Sequence, residues 1–280
     1  MPDQPSKNVV ISGGTTGMGR AVALEQSARG NHVTVIGSNE ARGRALLDEA
    51  ADPNMRFLRA DLSSIAENER VVALIAEQYR AIDALALFAN RVSPKRKETP
   101  DGLESTFALY YLSRYLLGER LRPLLDAAPE PVIINVAGVG NTAGRIHWDD
   151  PQLTRGYRQV RAQLQAGRAN DLLGAAFAGE GKSKVRYVLY HPGFTKSGAD
   201  GHPSPVVRNA IKLLARFFAR PVADSVRPIN GWIERPPAAP LTAVDRGKTV
   251  DPSIETLDPA DAARLATYTA ELLQKASRRV

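Results

Sequence analysis

The chain has 280 residues, 43% hydrophobic and 24% charged, with a formal net charge of +7. That balance suits a folded chain with a substantial core, and the lack of cysteine excludes disulfides, thiolate metal sites and a thiol nucleophile. The basic residues are scattered, and their densest run, Lys95-Arg96-Lys97, sits between Pro94 and Pro100, so it predicts a solvated loop rather than a nucleic-acid interface.

The opening stretch, residues 1–8, has no apolar leader core, and no later run is long enough to span a bilayer. The expectation is a cytoplasmic protein with no membrane partner. Val9 to Ser12 then reads as a strand and Gly17 to Ala28 as a helix. Between them lies Ser12-Gly13-Gly14-Thr15-Thr16-Gly17-Met18-Gly19, where glycines permit a tight turn and a close approach of backbone to a diphosphate at a helix amino end. A purely structural turn is the plainer alternative. His32 to Ile36 is a second strand and Glu40 to Ala50 a helix. Arg56 to Arg59 is a third strand, followed by a helix over Ser64 to Gln78. Ala84 to Phe88, Val132 to Val136 and Val185 to Tyr190 add short, nearly continuous apolar strands of the kind buried on both faces. The predicted class is α/β, a doubly wound parallel sheet of the Rossmann type.

From Pro192 to Pro259 prolines and glycines recur around an amphipathic stretch, Val206 to Phe218. We read residues 192–257 as a substrate lid and cap on a single domain covering residues 1–280. Asp258-Pro259 then offers a cap and a first-turn proline for a last helix through Leu273.

The glycine segment resembles the TGxxxGxG motif of short-chain dehydrogenases/reductases, with Ser12 in place of threonine. Asp61-Leu62 matches the pair that frames adenine in that family, and His191-Pro192-Gly193-Phe194-Thr195 matches its PG-containing segment beside the nicotinamide. Gly144-Arg145-Ile146-His147-Trp148 and Ala263-Arg264-Leu265 resemble its retinol-dehydrogenase-like branch. The resemblance implies a small-molecule substrate, a homo-oligomer and a nicotinamide dinucleotide. It places the dinucleotide against Gly13, Thr15, Thr16, Gly17, Met18, Gly19, Ser38, Asn39, Asp61, Leu62, Ala89, Asn90, Gly193 and Thr195. The second strand ends in Ile36-Gly37-Ser38-Asn39 with no acid before Glu40, while Arg20 and Arg42 are nearby. A site without a carboxylate for the ribose, and with positive charge at hand, favours NADP(H) over NAD(H). The alternative is that both arginines are simply exposed on helices.

The family usually works through an Asn, a Ser, a Tyr and a Lys. Motif spacing puts Tyr110, Gly138, Gln163 and Gly167 at those places, and the NNAG motif reads Leu87-Phe88-Ala89-Asn90. Tyr110 is a candidate proton donor, and Gln163 a candidate partner for a substrate oxygen. Tyr157 and Arg161 form a YxxxR pair, but almost two turns too early. An atypical oxidoreductase is therefore expected, acting on an activated carbonyl, enone or imine. The alternatives are non-redox chemistry such as cyclisation, isomerisation or dehydration, and a non-catalytic cofactor-binding subunit. His147 with Asp149 and Asp150 has no recognised metal spacing, and no metal is expected. His202 falls in the proposed lid, where Trp232 and Phe217-Phe218 are expected to pack.

Overall fold

The computed structural model describes residues 5–193 and 221–277. Its strands are β1 (Asn8–Ser12), β2 (His32–Gly37), β3 (Met55–Arg59), β4 (Ala84–Leu87), β5 (Val132–Val136), β6 (Arg186–His191), β7 (Leu241–Asp245) and β8 (Lys248–Thr249). They form one sheet in the order β3-β2-β1-β4-β5-β6-β7-β8. Every pairing is parallel except β7 with β8. The order turns back between β1 and β4, which opens a crevice at their carboxyl ends, the usual ligand position in such sheets.

The helices are α1 (Gly17–Ala28), α2 (Glu40–Ala50), α3 (Ile65–Gln78), α4 (Ser105–Phe107), α5 (Ser113–Arg120), α6 (Arg122–Ala127), α7 (Gln159–Gly179), α8 (Val222–Glu234) and α9 (Pro259–Ser277). A π-helical turn, Ala108–Leu112, joins α4 to α5. Alternate strand residues feed two cores. Val9, Ile11 and Ile134 face α1, α2 and α8, whereas Val10, Leu85 and Ile133 face α3, α5, α7 and α9. This period-two alternation of apolar side chains on both faces is what a helix-covered sheet requires.

The stretch 192–257 departs from the expected lid in its second half. Leu241–Asp245 is a strand paired with β6, and α8 buries Val226, Ile229 and Ile233 against the sheet. Trp232 packs edge-on against Tyr190 at 5.2 Å, so it belongs to this layer and not to a lid. Two local features conceal these elements. Pro228 lies inside α8, and the strand is mostly half-buried and preceded by a proline-rich run. The last helix has the expected cap, Asp258 Oδ1 accepting the Asp261 amide at 2.8 Å, but runs on to Ser277. Among the described residues no helix is long and apolar enough to cross a membrane.

Candidate active site

β1 ends at Ser12 and α1 begins at Gly17, so the chain must turn within a few residues. Gly13 has φ +73°, and a Cβ there would stand 2.6 Å from the Ala89 nitrogen. A Cβ on Gly19 would stand 2.5 Å from the Gly13 carbonyl oxygen. Glycine is thus dictated by backbone lying on backbone, the turn against the end of β4 and the helix against the turn. The Thr16 side chain makes no capping bond, and the first turn of α1 holds no acid. The amides and the positive dipole end of the helix therefore remain open to an anion. A cleft of about 490 Å³ lies in front of them, lined by Gly13, Thr15, Thr16, Gly17, Met18 and Gly19. This cradle fits a dinucleotide diphosphate: short side chains keep it open, and nothing in its first turn repels the charge.

Ser38, Asn39, Asp61 and Leu62 line one end of the same cleft. Asn39 Oδ1 accepts the Arg42 amide at 2.9 Å and so caps α2. Asp61 Oδ1 accepts from the amide and hydroxyl of Ser63, at 3.1 and 2.8 Å. Arg42 lines the cleft and makes no ion pair among the described residues. Arg20 does not: it pairs with Glu49 and is absent from the lining, which corrects the expectation that both arginines serve this end. The reason is helical geometry, since α1 and α2 pack together and bring Arg20 to an acid.

The other end is lined by Ala89, Asn90, Arg91, Leu109 and Val136. Gln163 reaches its rim from α7. Its Oε1 accepts Asn90 Nδ2 at 3.1 Å, and its Nε2 donates to Asn90 Oδ1 at 3.3 Å and to the Arg91 carbonyl at 3.2 Å. Gln163 thus braces the rim rather than facing the cleft with a free amide. Tyr110 lies in the π turn, 8% exposed, packed with Ala137 and Ala166. Burial pushes its hydroxyl above the usual tyrosine range, while the Arg114 guanidinium and then the Gly138 backbone at the hydroxyl pull the other way. A Cβ on Gly138 or on Gly167 would meet nothing within 4 Å. Of the four places assigned by the resemblance, two adjoin one another, one braces the rim, and one is bare.

Behind this end runs a buried polar network. The π turn displaces backbone hydrogen bonds, and the Tyr110 carbonyl is satisfied by Asn170 Nδ2 at 2.8 Å. Asn135 Nδ2 donates to Asn170 Oδ1 at 3.0 Å and to the Tyr187 hydroxyl at 2.9 Å. Asn135 Oδ1 in turn accepts Arg114 Nη1. The guanidinium also lies 4.6 Å over the Tyr110 ring. Arg114 is absent from the sequence-based candidates. Its signal was a lone charge within the apolar run Phe107–Leu117. Nearby, Asp171 Oδ2 accepts the Gly140 amide at 3.0 Å, while Oδ1 completes no hydrogen bond among the described residues. Burial raises this carboxyl to about 7, against the opposing pull of the Gly140 amide, the neighbouring Thr256 and Arg168.

The remaining candidates are dispersed. Gly193, φ +86°, faces the Arg246 side chain and is not in the cleft wall. Thr195, Phe194, His202, Phe217-Phe218 and the stretch 206–218 lie outside the described residues. Tyr157 donates its hydroxyl to the Ser93 carbonyl at 2.7 Å, and Arg161 bonds His147, so the YxxxR pair is not an acid–base unit. Burial, followed by Arg161, lowers the His147 pKa. Asp150 fixes a turn by accepting the amides of Thr154 and Arg155, each at 2.9 Å. Among the described residues no acid or histidine cluster could hold a metal.

Comparison with known proteins agrees with this fold. The family model described as short chain dehydrogenase matches residues 7–149. Human retinol dehydrogenase 13 is 28% identical over 207 residues, covering 71% of this chain and 62% of that protein. Dehydrogenase/reductase SDR family member 12 of Bos taurus is 26% identical over 195 residues, covering 68% and 61%. The matches thus span about three fifths of these relatives' own length. A crystal structure of a Mycobacterium paratuberculosis protein superposes with a TM-score of 0.71 at 21% identity, covering 97% of this chain and 96% of that one.

Proposed function

The chain belongs to the short-chain dehydrogenase family, in its retinol-dehydrogenase-like branch, and from that premise we propose that it binds NADP(H) and reduces an activated carbonyl, enone or imine without the family's usual Ser-Tyr-Lys set. The observation that carries this reading is a cleft with an anion cradle at α1 and, beside Ser38, an arginine, Arg42, that makes no ion pair among the described residues; Tyr110 is buried behind the opposite end, next in sequence to the wall residue Leu109. Arg42 suits a 2′-phosphate, because a guanidinium offers forked donors and a permanent charge.

A bound nicotinamide dinucleotide would supply the hydride. The chain's own part is to align that dinucleotide and to provide a proton. Tyr110 is protonated at neutral pH, since burial holds its pKa up. Its hydroxyl lies against the Gly138 backbone, where a Cβ would meet nothing within 4 Å. In this reading its proton passes to an oxygen gaining negative charge. Such a donor typically contributes on the order of 10²–10⁴ in rate. With Gly167 at the place of the family's lysine, substrates that need little acid help are favoured.

The test is NADPH consumption with 2-cyclohexen-1-one and with cyclohexanone. The enone should react at least about tenfold faster, and Tyr110→Phe should lower that rate by on the order of 10². Turnover surviving removal of all dinucleotide would replace this reading with non-redox chemistry.

A further inference from the structure

Arg114 is a charge that no carboxylate answers among the described residues. It is 1% exposed, yet its acceptors are all neutral. Nη1 donates to Asn135 Oδ1 and to the Val136 carbonyl at 2.9 Å, and Nη2 donates to the Ala89 carbonyl at 3.1 Å. Nε has no partner. Buried charges are ordinarily paired with an opposite charge, because the cost of leaving water is otherwise uncompensated. Desolvation lowers this pKa only to about 10, so the guanidinium is charged at neutral pH. Ala89 and Val136 are themselves wall residues of the cleft, at the end away from Ser38 and Arg42. Positive charge therefore stands directly behind the wall where the nicotinamide half of a dinucleotide would lie in such a sheet.

We propose that Arg114 is a charge-selecting residue that makes this end of the cleft prefer the neutral, reduced nicotinamide to the cationic, oxidised one. The same field favours acceptors that gain negative charge on oxygen and disfavours an iminium carbon, which narrows the substrate class to carbonyls and enones. The inference rests on the dinucleotide reading given above. In the reduction, the hydride's electron pair forms the new bond at carbon, the substrate's π pair moves onto oxygen, and that oxygen takes the proton. An oxidised nicotinamide bound there would carry the charge that Arg114 opposes. Two like charges roughly 10 Å apart at an effective dielectric near 20 alter affinity by about tenfold.

The experiment is titration of the full chain with NADPH, by fluorescence, and with NADP⁺, by calorimetry, for wild type, Arg114→Gln and Arg114→Lys, with circular dichroism to verify folding. Wild type should bind NADPH about tenfold more tightly than NADP⁺. The glutamine variant should bring the ratio near one, and the lysine variant should largely keep it. A wild-type ratio of one or below overturns the inference whether or not the variants fold. So does a folded glutamine variant with an unchanged ratio. Binding of neither form would overturn the proposed function and this inference together, whereas tight but equal binding of both overturns this inference alone.

Discussion

At the α1 end of the cleft the wall is backbone. Gly13 lies against Ala89 and Gly19 against Gly13, with no room for a Cβ at either. At the β5 end the wall rests on side chains drawn from the π turn, α5, β5 and α7, while Gly138 and Gly167 have space for a Cβ. Contacts between main-chain segments fix residue identity over a few consecutive positions. Contacts between side chains can be rearranged over many, so chemistry can change there while the fold stays.

The sharpest way to break this comparison is Gly13→Ala. The added methyl group meets the Ala89 backbone, and φ is positive, so neither end of the clash can yield. NADPH affinity should fall at least about a hundredfold by calorimetry. Affinity within threefold of wild type would refute the backbone account.

Asp171→Asn probes the side-chain end. The native carboxyl is raised from 3.8 to about 7, so between those values the folded state holds more protons than the unfolded one. Stability from this group is complete below pH 3.8 and is lost as pH rises through about 7. The asparagine variant should flatten that slope and be more stable at pH 8 by about 2–4 kcal/mol, measured by urea unfolding across pH. An unchanged slope would remove Asp171 as its source. Arg42→Ala should weaken NADPH binding about tenfold and leave NADH within twofold, read by parallel titrations. The smallest effect belongs to Gly138→Ser. With nothing near the new side chain, the melting temperature should move by less than about 2 °C, and a large loss would show that end to be as crowded as the other.

The same contrast explains how much was legible in the sequence. Gly13 to Gly19 could be read because strand, turn and helix impose their demands on neighbouring residues; Ser38 and Asn39 stand at the end of the second strand, and Asp61-Leu62 came from the family resemblance; all four line the cleft. Arg114, Asn135, Asn170 and Asp171 meet only in three dimensions, and the π turn that opens the Tyr110 carbonyl has no spacing signature. β7 was hidden because a short, half-buried strand after prolines looks like loop. Arg20 was misplaced because proximity in sequence to the glycine turn does not say which way a helical side chain faces.

The most direct test of the account is calorimetric titration of the wild-type chain with NADPH. One saturable site per chain, abolished when a methyl group is placed on Gly13, is the expected result. No saturable heat up to about 1 mM NADPH, with the chain folded by circular dichroism, would contradict it.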